Sequence, residues 1–263
     1  MKRVLQIVAF VLFAIALAGL MGFIYIEREN QILADINVKI CRETDRGFLN
    51  KTELLETAEA IDSIGTTKIK RIDTNKLEEI FSSNPYVENV DVFVNIDNQL
   101  MINVREKSVV LRIFNQNNKG YYIDKNAGIL PLSNQFSSRV LIANGYIDVP
   151  YLKGFNSIFD SVYNATSASD SALLLALFTL TKTINQSNFL KAQISQIYVN
   201  SKGEFDLIPQ LGNQLIHFGS MEDAEEKLDK LELFYKKALV KEGWEKYKTI
   251  NLKYKNQVVC TKK

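Results

Sequence analysis

The sequence is poor in the residues that most often do chemistry. It has one His and two Cys in 263 residues. That leaves little material for a metal site or for a Cys–His nucleophile pair. It also lacks a strong charge of either sign. Lys plus Arg number 32 and Asp plus Glu number 30, a formal charge of +2. A nucleic-acid binder needs a concentrated basic surface, which this total does not supply. The apolar fraction of 46% and the charged fraction of 24% are ordinary. They exclude a disordered chain, a collagen-like chain and a disulfide scaffold.

One absence is local. No charged residue occurs from Val4 to Ile26. Lys2 and Arg3 account for the whole excess of charge, so the remainder balances at 30 basic and 30 acidic residues. A helix over residues 4–26 extends roughly 34 Å, against a hydrocarbon core of about 30 Å. The pattern therefore predicts a transmembrane helix bounded by Val4 and Ile26, with Tyr25 at the interface. The positive-inside bias makes residues 1–3 a cytoplasmic tail and puts the rest outside. A cleaved signal peptide competes, since Ala16-Leu17-Ala18 looks like a cleavage site. The apolar run continues well past it, beyond an h-region of about 7–15 residues, which favours an uncleaved anchor. Cys41 and Cys260 lie near opposite ends of the exported part, where an oxidising compartment permits a disulfide. Nothing in the sequence brings them together, and two separate, strand-borne thiols are the favoured reading.

Residues 27–106 read as a small α+β domain. Ile32, Ile36, Val38 and Ile40 fall at even spacing, as in a strand. Asn50 with Glu53 resembles a capping box, and Leu54, Leu55, Ala58 and Ile61 recur at helical spacing. Asp73 is a good N-cap for a second helix carrying Leu77, Ile80 and Phe81. Asn84-Pro85 ends that helix. Val90, Val92, Val94 and Ile96 then alternate, Asp97-Asn98 turns, and Leu100, Ile102 and Val104 return. The predicted order is β-α-α-β-β, two helices covering one face of a sheet.

Residues 107–263 read as a second domain, a mixed or antiparallel sheet with helices. Val109–Phe114 and Gly120–Ile123 are predicted strands, and Asp124 to Gly128 is a turn cluster in which Gly128 supplies positive φ. Asp124 is therefore a turn residue rather than a catalytic acid. Ser169–Ile184 is a helix with Leu173, Leu174, Leu177, Leu180 and Thr181 on its apolar face. A meander of short strands follows. His217 lies in the last of these, with no nucleophile motif beside it. Ser220 and Asp223 cap a final helix that places Ala224, Leu228, Leu231, Tyr235 and Leu239 against the sheet. Thr249 to Tyr254 alternates as a strand.

The string NPYVENVDVFVNIDNQLMINVREKSVV resembles the POTRA domain of the bacterial division protein family FtsQ/DivIB. Asn84, Pro85, Val87 and Val90 match its entry to the hairpin, and Val104, Glu106 and Val110 its exit. Lys107-Ser108-Val109 departs from the family's Arg-x-Pro. GYYIDKNAGILP, Phe218-Gly219 before the long helix, and Ile250 to Tyr254 continue the resemblance in family order. Asn251 and Lys253 stand where the family has Asp and Arg.

The resemblance implies a non-enzymatic scaffold in the inner membrane at the division septum, outside the cytoplasm apart from its tail. It implies partners of the FtsB and FtsL type, without cofactor, small-molecule substrate or nucleic acid. Strand addition to a C-terminal edge is the expected mechanism. Ile250, Leu252, Lys253 and Tyr254 are its candidate contacts, with Trp244 and Tyr247 as aromatic anchors. Trp244 reads equally well as a residue that closes the helix end. Two other classes remain: a POTRA-type chaperone for membrane-protein assembly, and an anchored hydrolase, for which no spaced catalytic signature is present.

Overall fold

The computed structural model describes residues 2–61, 66–151, 157–159 and 168–263. It divides into two compact units, Met1–Glu106 and Lys107–Lys263.

The first unit begins with helix α1, Lys2–Glu29, 28 residues long. Its described side chains are exposed and, Gln6 apart, mostly apolar, including Phe10, Phe13, Leu20, Met21 and Phe23. Among the described residues, no helix is long and apolar enough to cross a membrane. The side chains of Val4 and Ile26, the expected limits of a span, lie outside the described residues. After α1 come strand β1 (Asp35–Cys41), helix α2 (Lys51–Ile61), helix α3 (Thr74–Ser82), and the hairpin of β2 (Val87–Val94) and β3 (Gln99–Glu106). The sheet order is β1-β3-β2, with β1 parallel and β2 antiparallel to β3.

Alternation dictates this core. Ile36, Val38, Val90, Val92, Leu100, Ile102 and Val104 line one sheet face and bury against Leu54, Ala58, Leu77 and Phe81 of the helices. Asp73 caps α3 as expected, its Oδ1 accepting from Lys76 N–H at 3.1 Å. Asn50 instead accepts from Thr52 N–H at 2.9 Å, two residues on, so the bond to the third residue expected of a capping box is not the one formed. At the hairpin only Asn98 takes a positive φ, 60°, while Asn95 Oδ1 accepts from the N–H groups of Asp97 and Gln99.

The second unit is a nine-stranded mixed sheet. Its strands are β4 (Val109–Phe114), β5 (Gly120–Asp124), β6 (Ile129–Pro131), β7 (Leu141–Gly145), β8 (Ile194–Val199), β9 (Phe205–Pro209), β10 (Leu215–Gly219), β11 (Tyr247–Asn251) and β12 (Val259–Lys262). They lie in the order β12-β11-β10-β9-β8-β7-β4-β5-β6. Helices α4 (Ala168–Gln186), α5 (Asn188–Gln193) and α6 (Ala224–Phe234) complete the unit. Helix α6 runs on through a π turn, Tyr235–Leu239. Leu174, Leu177, Leu180, Leu228, Leu231, Tyr235 and Leu239 pack on Ile113, Ala143, Ile197, Leu207, Ile216 and Ile250 of the sheet. The two apolar stripes read from the sequence are thus the two faces that seal the core.

Two local expectations change. Positive φ in the Asp124 turn falls on Ala127, at 66°, not on Gly128. Gly128 is required for space: a Cβ there would stand 2.5 Å from Asp124 Oδ2. Asp124 Oδ1 accepts from Asn126 and Gly128 N–H at 2.8 and 2.6 Å, so the residue is a turn former. At α6, Asp223 is N-cap but its side chain makes no cap bond; its φ is 51°. The Lys227 ammonium donates to Ser220 O at 2.9 Å and holds the loop before the helix.

Candidate functional site

The end of the larger sheet is built by a crossover. Strand β10 leads into α6, and α6 returns the chain to β11, parallel to β10. The pairing is short, Leu215–His217 against Thr249–Asn251. Leu252 N–H extends it by donating to His217 O at 2.9 Å. The chain then folds back, and β12 lies antiparallel on the outer side of β11.

This topology moves the candidate edge. Strand β11, expected to be exposed, is inside the sheet, and β12 is outermost. The expectation treated the Thr249–Tyr254 alternation as the edge, but Val259–Lys262 covers it. Ile250 and Leu252 are 0% exposed and belong to the core, so neither presents its side chain to a partner. Lys253 reaches Glu204, with Nζ 2.6 Å from Oε2. That hydrogen bond is the main reason the Glu204 carboxyl is held below its usual range. Tyr254 is half exposed, and its carbonyl accepts from Lys230 Nζ at 3.2 Å. Trp244 packs on Tyr235, ring centroids 5.4 Å apart, and its carbonyl accepts from Gln214 Nε2. Tyr247 packs on Phe234 at 5.9 Å.

Main-chain direction at the edge follows from alternation. Leu252 points its N–H toward β10, so Thr249 and Asn251 face β12. Their partners Thr261 and Val259 face back, which leaves Cys260 with its N–H and C=O outward. Burial pushes the Cys260 thiol up from its ordinary value, as its side chain leans on the core. Cys41 and Cys260 are both free thiols. Sequence reasoning missed Cys260 as an edge residue, because its pairing is set by a fold-back that no local pattern encodes.

The four sheet edges differ. On β1, Ile36 N–H bonds the Asp35 carboxylate at 2.9 Å. On β2, Val92 N–H bonds Glu78 Oε1 at 2.9 Å. Strand β6 has three residues and ends on Pro131, which has no N–H. On β12, among the described residues, no side chain hydrogen-bonds a main-chain N–H. Two of these edges carry a side-chain cap on a main-chain N–H and one ends on proline; β12, four residues long and carrying Lys262, has neither device among the described residues.

Other chemistry is sparse. His217 Nδ1 lies 2.7 Å from Asp206 Oδ1 on the neighbouring strand. Among the described residues, no group of three His, Cys, Asp or Glu side chains is placed to hold a metal ion. A mixed-charge pocket of about 340 Å³ lies at the end of β10 and β11, lined by Lys227, Lys230, Lys253, Glu222 and Asp223 among others. Desolvation, the largest cause, lowers the Lys227 pKa from its ordinary value.

A β-α-α-β-β unit followed by a large mixed sheet defines a two-module α+β protein. Residues 31–105 match the POTRA-like domain model, and residues 109–261 match the model FtsQ/DivIB, C-terminal related. The second match covers more than half of the chain, which therefore belongs to the FtsQ/DivIB family. Membership supports a general scaffold role in the division machinery, a non-catalytic type of work. No curated protein sequence matches the chain.

Proposed function

We propose that this protein is a single-pass, non-enzymatic scaffold of the bacterial division complex. In this reading α1 is the anchor, with residues 1–3 in the cytoplasm and the two units outside, at the septum. The anchor rests on the charge-free run from Val4 to Ile26 and on the basic pair before it. The second unit takes an extended segment of an FtsB-type partner onto β12, and so links FtsB and FtsL to septal wall synthesis.

The bare outer side of β12 carries this proposal. An edge without capping side chains or Pro offers main-chain donors and acceptors directly to another strand. Lys248, Lys255 and Lys262 stand exposed near that edge, with Tyr254 half exposed beside them.

The test is capture of an FtsB-type segment by the purified full chain. Cys260→Pro removes the outward donor without touching the β11 ladder, and Cys260→Ala controls for the lost thiol. The expected result is loss of capture in Cys260→Pro alone, at unchanged far-UV circular dichroism. Capture that survives Cys260→Pro overturns the reading. Depletion should leave long undivided cells; altered membrane-protein content instead would favour an assembly chaperone.

A further inference from the structure

The capped edge of the smaller sheet, β2, has a feature that the division role does not use. Helix α3 lies against β2, and Glu78 of α3 sends its carboxylate to the Val92 N–H at 2.9 Å. That N–H points away from β3. By alternation, Val90 and Val94 also direct their main-chain groups outward. Glu78 Oε1 therefore occupies the place where the carbonyl oxygen of an added strand would sit. A carboxylate there also repels that carbonyl.

The strand so protected reads Val-Glu-Asn-Val-Asp-Val-Phe-Val, with no Pro and no Gly. Five of its eight residues are Val or Phe, types that favour strand pairing, and Glu88 and Asp91 are its two charges. Its residues allow a twofold antiparallel register centred on Val92. There Val92 meets Val92, Val90 meets Val94, and Asp91 meets Phe93. No like charges face each other, and Phe93, 41% exposed, is covered. The centre of that register is the amide held by Glu78.

We infer that β2 is a latent pairing edge for a second copy of this chain, and that Glu78 keeps it closed. Glu78 is a positioning residue in this sense: it occupies the edge and leaves β12 as the strand open to partners.

Sedimentation equilibrium of the full chain in detergent micelles tests this. Glu78→Ala should raise self-association roughly tenfold or more, the worth of one hydrogen bond to a charged group. Glu78→Gln keeps an accepting oxygen and should stay near the unsubstituted chain. Adding Phe93→Asp to Glu78→Ala sets Asp opposite Asp91 twice in the dimer and should abolish the gain. Phe93 is exposed, so folding should survive, as read by the thermal midpoint. Hydrogen exchange at Val92 should quicken in Glu78→Ala at protein concentrations below the dimerisation range. An unchanged association constant in Glu78→Ala overturns the inference. So does association that persists in the double variant, or capture of an FtsB-type segment on β2 in place of a second copy.

Discussion

The Glu106 carboxylate accepts from Phe48 N–H at 2.7 Å, across 58 residues of sequence. Its other oxygen accepts from Leu49 N–H at 3.2 Å and lies 3.8 Å from Arg42. Glu106 is only 7% exposed, so a buried charge is satisfied mostly by backbone amides. Gly47 has no Cβ because Glu106 occupies that space. The last residue of β3 thereby pins the loop between β1 and α2, and Phe48 stacks on Tyr86 at 4.7 Å.

Replacing Glu106 by Ala strands two buried N–H groups. A loss of about 3 kcal/mol is expected, at roughly 1.5 kcal/mol for each bond to the charged group. Glu106→Gln keeps one acceptor and should cost about half as much. Denaturant unfolding monitored by a probe in the first unit measures both.

Leu252→Pro removes the donor that ties β11 to His217 and empties a fully buried site. It should destabilise the second unit by about 3 kcal/mol or more. Cys260→Pro, one strand further out, should cost far less. Comparable losses from the two substitutions, read by thermal melts, would return β12 to the interior.

Gly219 has φ of 84°, and a Cβ there would stand 2.9 Å from Lys253 Cγ. Gly219→Ala is expected to cost about 1–2 kcal/mol through the left-handed backbone. Lys253→Ala removes the obstructing chain but not the backbone strain, so the double variant should recover only part of the loss in a chemical melt.

Ser187 caps α5 by accepting from Leu190 N–H at 3.2 Å, and its hydroxyl donates to Glu232 Oε2 at 2.6 Å. Glu232 is held below its ordinary range first by Lys236 and then by Ser187. A carboxylate lowered on folding contributes stability above its unfolded pKa and loses it as pH falls through the folded value. Ser187→Ala should cost about 1 kcal/mol at neutral pH. The cost should shrink below pH 4.5, where Glu232 protonates in the unfolded chain. Urea midpoints across an acid series would show the convergence; a pH-independent difference would assign the whole effect to the cap.

Faces were legible in the residues, and neighbours were not. Leu228, Leu231, Tyr235 and Leu239 repeat at helical spacing, so their burial together was readable. Val90, Val92, Leu100, Ile102 and Val104 alternate, so one side of the hairpin had to be core. Ile250 and Leu252 also alternate, but that pattern names only a buried face. It does not say whether the strand has one neighbour or two.

The sequence by itself determined the charge-free run from Val4 to Ile26, the apolar stripes of the helices, and the alternation that sets strand faces. All are local and follow from spacings of two or three to four residues. Tertiary structure decided which strand lies outermost, which amides are capped, and where Glu106, Glu78 and Leu252 find their partners. Those partners lie 57 or 58, 14 and 35 residues away, respectively. Pairing at such distance depends on the whole sheet order, because a strand's main-chain groups are alike whatever sequence carries them.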